Sequence, residues 1–199
     1  TYFALQPSYQ VEGRLLAQWA LADLKPERIA VFAVDDQFGQ EGAAAFIEEL
    51  AHGGIEPPSL LTHALGEARP DEWVAALAAH EPDLVLLYTY LKPAADLLRA
   101  AHAASFRPTW LGSYVISGSD LFRLAGAAST EGVWATSYPA GPRDHRGERL
   151  YRKLMAQKYA DETPGTHSRI GYAAAQLVVE GLRRAGSELT RDGFIAALE

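Results

Sequence analysis

Short apolar stretches, each followed by an amphipathic helical stretch, recur through the middle of the chain, and this alternation limits the fold more than any other feature. Residues 29–34 are apolar on both faces, as a strand covered from both sides must be. Residues 40–50 then place Ala43, Phe46, Ile47 and Leu50 on one stripe with Glu41, Glu48 and Glu49 off it, which predicts a helix stopped by Gly53-Gly54. A weaker strand over 59–63 is followed by a helix opened by Pro70 and Asp71, with Trp73, Val74 and Leu77 on its buried side. Residues 84–88 read as a third strand, and Pro93 opens a helix in which Ala94, Leu97, Leu98 and Ala101 share a face. A short strand at 109–112, a short helix near 120–124 and a strand at 133–137 complete five β/α units. Strands alternating with helices imply parallel strands and right-handed crossovers, hence an α/β fold with a doubly wound parallel sheet.

The flanks differ from this core. Residues 1–5 are read as a strand, and 9–24 as a helix with Leu15, Trp19 and Ala22 on one side. Three helical stretches follow the sheet region, about 147–159, 168–184 and 191–198. Ile170, Ala174, Leu177 and Val178 form an apolar stripe there with no strand of its own to cover. Charge changes with position: residues 27–138 hold 15 Asp/Glu against 6 Lys/Arg, whereas 139–199 hold 8 against 10. The change falls at Tyr138-Pro139-Ala140-Gly141-Pro142, a turn-like run that marks a domain boundary. The reading therefore assigns 27–138 to one lobe. It assigns 1–26 and 139–199 to parts of a second, incomplete lobe that contributes the flanking helices, with Pro26, Tyr138 and Pro139 at the hinge.

Several chemistries are disfavoured. The net charge of -7 argues against general nucleic-acid binding, and no apolar run is long enough to span a membrane. Without cysteine there is no disulfide and no thiolate metal site. Neither glycine-rich phosphate loop is present, nor the Gly-x-Ser-x-Gly of a hydrolase elbow. The six histidines never fall at i, i+4 on a helix and read mostly as solvated helix-end residues. The pair Asp35-Asp36 would suit Mg²⁺ only with an Asp closing the third strand and a Lys near the end of the fifth, and neither is there. Loop hydrogen bonding and charge for the following helix explain the pair better. The interleaved acids and bases of residues 143–149 read as a solvated helix start. No enzyme, metal or cofactor is expected.

Ligands of doubly wound sheets bind outside the carboxyl ends of the strands. The loops there (35–39, 64–68, 89–92, 113–118 and 138–140) offer Phe38, Tyr88, Thr89, Tyr90, Ser113, Tyr114 and Tyr138, which suit a small organic ligand. Each aromatic is equally open to a role in core or lobe packing.

An ordered set of motifs resembles one family. Val34-Asp35-Asp36-Gln37-Phe38-Gly39 looks like the Asp-Asp-x-aromatic-Gly segment after the first strand of lobe 2 in leucine/isoleucine/valine-type periplasmic binding proteins. Tyr2-Phe3 with Pro7, Gln10 and Gly13 is similar to the family's segment before the hinge. Pro82-Asp83-Leu84-Val85, Trp110-Leu111-Gly112, Ala125-Gly126 before Glu131-Gly132-Val133, and Gly171-Tyr172-Ala173-Ala174 follow in the family's order. The resemblance implies a type I lobe of a partial chain and an extracytoplasmic, periplasmic solute-binding component of an ABC importer. Such a component takes a small amino-acid-like, amide or carboxylate ligand between closing lobes and docks on a membrane permease. It implies ligand contacts at Phe38, Tyr90 and Tyr114, and a late one near His167, with Ser113 and Thr89 beside them. Where amino-acid binders place a carboxylate for the ligand ammonium, this chain has Tyr114, which cannot neutralise that charge. The ligand is therefore expected not to be a simple α-amino acid, unless Asp36 or Glu67 supplies the charge. The same fold also serves as the ligand-sensing domain of amide-responsive regulators and receptors.

Overall fold

Five parallel strands form one sheet: β1 (Ile29–Val34), β2 (Ser59–His63), β3 (Leu84–Tyr88), β4 (Thr109–Gly112) and β5 (Val133–Ala135), in the order β2-β1-β3-β4-β5. The computed structural model describes residues 3–56, 58–137, 145–187 and 189–199. Val31 sits opposite Leu60 on one side and Leu86 on the other. The full burial of β1 and β3 follows from helices on both faces. One face packs Val31, Ala33, Leu84, Leu86 and Tyr88 against Leu16, Ala17, Phe46 and Leu50. The other packs Phe32, Val85 and Leu87 against Trp73, Leu77, Leu97 and Leu98. Alternate residues of a single strand thus feed two cores.

The helices of this unit are α1 (Tyr9–Trp19), α2 (Gln37–His52), α3 (Pro70–Ala78), α4 (Leu91–Ala103), α5 (Ser119–Ala125) and α6 (Ala127–Thr130). A π-type turn, Ala20–Leu24, ends α1. Lys25 then adopts the left-handed conformation (φ 50°) and donates its N–H to Ala20 O. At the amino ends of the strands the Asp83 carboxylate accepts from the Glu27 and Arg28 N–H groups at 2.8 and 3.1 Å, which fixes the entry of β1 beside that of β3.

Two compact units divide the chain: Pro7–Ser137, which holds the sheet, and Thr1–Gln6 with Tyr138–Glu199. Residues 7–26, read above as part of the second lobe, fall in the sheet unit in this division. The α1 helix packs along α2, and Pro26 lies half-buried inside the sheet unit, away from the division between units. Tyr138 and Pro139 lie outside the described residues. The buried face of α1 also differs from expectation. Glu12, Gly13, Leu16, Ala17 and Ala20 face inward, while Leu15 is half exposed and Ala22 is exposed. Small residues win because the helices approach closely: a Cβ at Gly13 would stand 2.4 Å from Gly42 O. Residues 3–6 carry no strand.

The second unit contains α7 (Arg146–Lys158), α8 (Thr166–Ala185) and α9 (Arg191–Leu198). Buried Tyr151 joins α7 to α8 through its hydroxyl, 2.6 Å from Ser168 Oγ, and Arg169 lies over its ring. Gly181 lets Phe194 and Leu198 of α9 press on α8. Val178, Val179 and Leu182 stay largely exposed, so the apolar stripe of α8 is only partly covered by the described residues.

Candidate functional site

The strand order reverses at β1, which leads to β2 on one side and to β3 on the other, so a crevice opens between the carboxyl ends of β1 and β3. Asp36 shapes one wall. Its Oδ1 accepts from the Gly39 N–H at 2.9 Å and caps α2. Its Oδ2 accepts from the Tyr90 hydroxyl at 2.8 Å. Asp35 accepts from Gln40 Nε2, so both acids serve the loop and the helix start. Gly39 must be glycine, since a Cβ would lie 1.9 Å from Val34 O.

Behind this wall the aromatics converge on Phe38. Its ring lies 4.8 Å from Tyr9 edge-on, 4.8 Å from Tyr88 and 5.3 Å from Tyr90. Phe38 and Tyr114 are 6% and 7% exposed, whereas Tyr9 and Tyr90 are half-buried at the rim. Burial, then the Tyr114 hydroxyl beside it, pushes the Tyr9 phenol from 10.0 up to about 12. The hydrogen bond to Asp36 raises Tyr90, and burial above all, with Glu12 beside it, raises Tyr88.

Other residues read as contacts are placed differently. Thr89 is fully buried, with Oγ1 2.7 Å from His63 Nε2. His63 Nδ1 donates to Ala64 O at 3.0 Å, which leaves Nε2 to accept from Thr89. His63 is itself buried and stacked on Phe32 at the end of β2, so it is not among the solvated helix-end histidines. Ser113 is fully buried, donates to Glu12 at 3.1 Å and accepts from the Val115 N–H. Both hydroxyls hold the loops together. His167 is exposed on α8 and belongs to the other unit. Glu67 accepts from the Ala64 N–H and pairs with Arg69; the backbone bond first, then Arg69, holds its carboxyl below the usual range. Among the described residues no group of three or more His, Asp or Glu could hold a metal.

Glu12 is the residue that sequence reasoning missed. It is 5% exposed and accepts from the Tyr88 hydroxyl (2.8 Å), Ser113 Oγ (3.1 Å), the Tyr114 N–H (2.9 Å) and Thr136 Oγ1. A charged residue in a helix reads as a solvated one. The signal against it was its place beside the small residues Gly13 and Ala17, one turn from Leu16.

The fold that carries this crevice has counterparts among known proteins. The chain belongs to the periplasmic binding protein family, whose model matches residues 1–199. Among solved structures it is similar to a substrate-binding periplasmic protein from Ralstonia solanacearum, at 23% identity and a TM-score of 0.86, over 98% of this chain and 56% of that one. It is similar to a leucine-binding protein from Thermotoga maritima, at 19% identity and a TM-score of 0.83, over 95% and 53%. A solute-binding protein of an ABC transporter from R. palustris, in complex with benzoate, matches at 17% and 0.83, over 96% and 52%. The chain therefore spans about half the length of these structures. A search of curated proteins finds no match. The fold is that of a type I periplasmic binding protein.

Proposed function

We propose that the protein is the extracytoplasmic solute-binding component of an ABC importer, and that the carboxyl end of the Pro7–Ser137 sheet receives a small amino-acid-like, amide or carboxylate ligand. A membrane permease is the partner in this reading. The observation that carries it is the aromatic wall of Phe38, Tyr90 and Tyr114 at the switch point between β1 and β3. Aromatic rings supply area at little entropic cost, and the hydroxyls supply orientation. The ligand in this reading is not a simple α-amino acid, because Tyr114 carries no charge to balance an ammonium and both Asp36 oxygens already accept hydrogen bonds, from Gly39 and Tyr90. That one relative's structure contains benzoate supports a carboxylate with an apolar body.

A thermal-shift screen with leucine, valine, benzoate, octanoate and acetamide tests this. A ligand present at a hundred times its Kd stabilises by about 2.7 kcal/mol, a clear rise in Tm. Stabilisation by benzoate, octanoate or acetamide supports the reading. Strong stabilisation by leucine or valine alone would overturn the ligand class, and no response to any compound would count against solute binding.

A further inference from the structure

One carboxylate on α1 is tied to three neighbouring strands at the end where the ligand is proposed to bind. Glu12 Oε2 accepts from Tyr88, the last residue of β3, and from Ser113, just after β4. Its Oε1 accepts from the Tyr114 N–H and from Thr136, just after β5. All four partners donate, and none of the ion pairs among the described residues includes Glu12. Such a group costs free energy to bury and is held only by complete hydrogen bonding. The helical turn Tyr114–Ile116 starts at this carboxylate, because Ser113 donates to Glu12 while capping the turn through the Val115 N–H. One turn earlier on α1 stands Tyr9, whose carbonyl accepts from the Tyr88 hydroxyl at 3.1 Å and whose ring meets Phe38 edge-on.

We propose that Glu12 is the positioning residue of the ligand site, setting the place of the turn that carries Tyr114, and that the Tyr114 phenol it places, with the half-buried Tyr9 phenol beside Phe38, supplies the polar contacts offered to the ligand. This rests on the solute-binding reading above. A phenol hydroxyl both donates and accepts, so it suits an amide or carboxylate head without requiring a charge. Tyr9 thereby joins the site from a helix that lies outside the five β/α units.

Three variants of the full protein test it: Glu12→Gln, Glu12→Leu and Tyr9→Phe. Hydrogen exchange at the Tyr114 amide is read relative to the amides of β1, and affinity is read with whichever of benzoate, octanoate or acetamide binds the wild type. A glutamine oxygen still accepts the Tyr114 N–H, so Glu12→Gln keeps exchange and affinity within about threefold, whereas Glu12→Leu speeds Tyr114 exchange and weakens binding by about tenfold or more. Tyr9→Phe weakens binding by about tenfold while Tm and Tyr114 exchange stay near wild type. Equal protection of the Tyr114 amide in Glu12→Leu, or unchanged affinity in Tyr9→Phe, overturns the proposal. If Glu12→Leu does not fold, a Glu12→Gln protein with lost Tyr114 protection overturns it equally. If no compound binds the wild type, the solute-binding reading fails, and the exchange comparison still decides whether Glu12 positions the turn.

Discussion

Phe38 touches Tyr9, Tyr88 and Tyr90 and keeps only 6% of its surface exposed, so it supports the wall from within. Phe38→Ala is expected to cost about 3–5 kcal/mol in urea unfolding, the usual penalty for emptying an aromatic site. A cost below about 1 kcal/mol would mean that the ring is not core. Gly42 lies under the Tyr88 ring, where an added Cβ would come within 1.9 Å of Cζ. Gly42→Ala should therefore destabilise by about 1–3 kcal/mol or more and disturb Tyr88 together with its bond to Glu12. The tyrosines also set an alkaline limit. Tyr9 ionises near 10.0 when unfolded and at about 12 when folded, so its contribution is complete below pH 10 and is lost as pH rises through about 12. Tyr88 and Tyr90 shift in the same direction. Tyrosinate absorbance should accordingly appear at higher pH in the native protein than in urea, and coincident curves would contradict these environments. The capping role of Asp36 was legible from its position before a helix. That of Glu12 was not, because its four donors come from β3, β4 and β5, and residues up to 124 positions apart in sequence meet only after folding.

At the scale of elements, β1 and β3 were readable because burial on both faces leaves an unbroken apolar run, whereas the edge strand β2 alternates in burial and reads more weakly. The α1 helix was readable over 9–24, but its inward face was not, since that face is chosen by fit. Leu15 and Trp19 attract a reading based on hydropathy, yet the contact with α2 selects Gly13, Ala17 and Ala20. Gly13→Ala tests the point: the new methyl meets backbone at Gly42, which has no flexible end to give way. It should destabilise by about 1–3 kcal/mol, although alanine is the better helix former by about 1 kcal/mol. A stabilised Gly13→Ala protein would show that the two helices can separate at no cost. The β5 strand ends at Ala135, short of the expected 137, although Thr136 still donates its N–H to Gly112 O while its hydroxyl reaches Glu12.

For the whole molecule, the fold class could be read from the alternation of elements, whereas the packing of residues 7–26 could not. Charge and a proline-containing run pointed to 138–142, and nothing in residues 7–26 themselves announced that α1 belongs with the sheet unit. All four tryptophans (Trp19, Trp73, Trp110 and Trp134) fall in Pro7–Ser137, so tryptophan fluorescence reports on that unit alone. A fragment of residues 7–137 should unfold in urea on the same fluorescence curve as the full chain, and a non-cooperative fragment would contradict an independent sheet unit. The ligand's place is the central claim, and titration calorimetry with the compounds that raise Tm addresses it most directly. Tyr90 stands at the rim, half-buried, with its hydroxyl on Asp36, so Tyr90→Ala should weaken binding by about tenfold or more with little change in fold. Binding to Tyr90→Ala as tight as to the wild type would place the ligand elsewhere than at the carboxyl ends of β1 and β3.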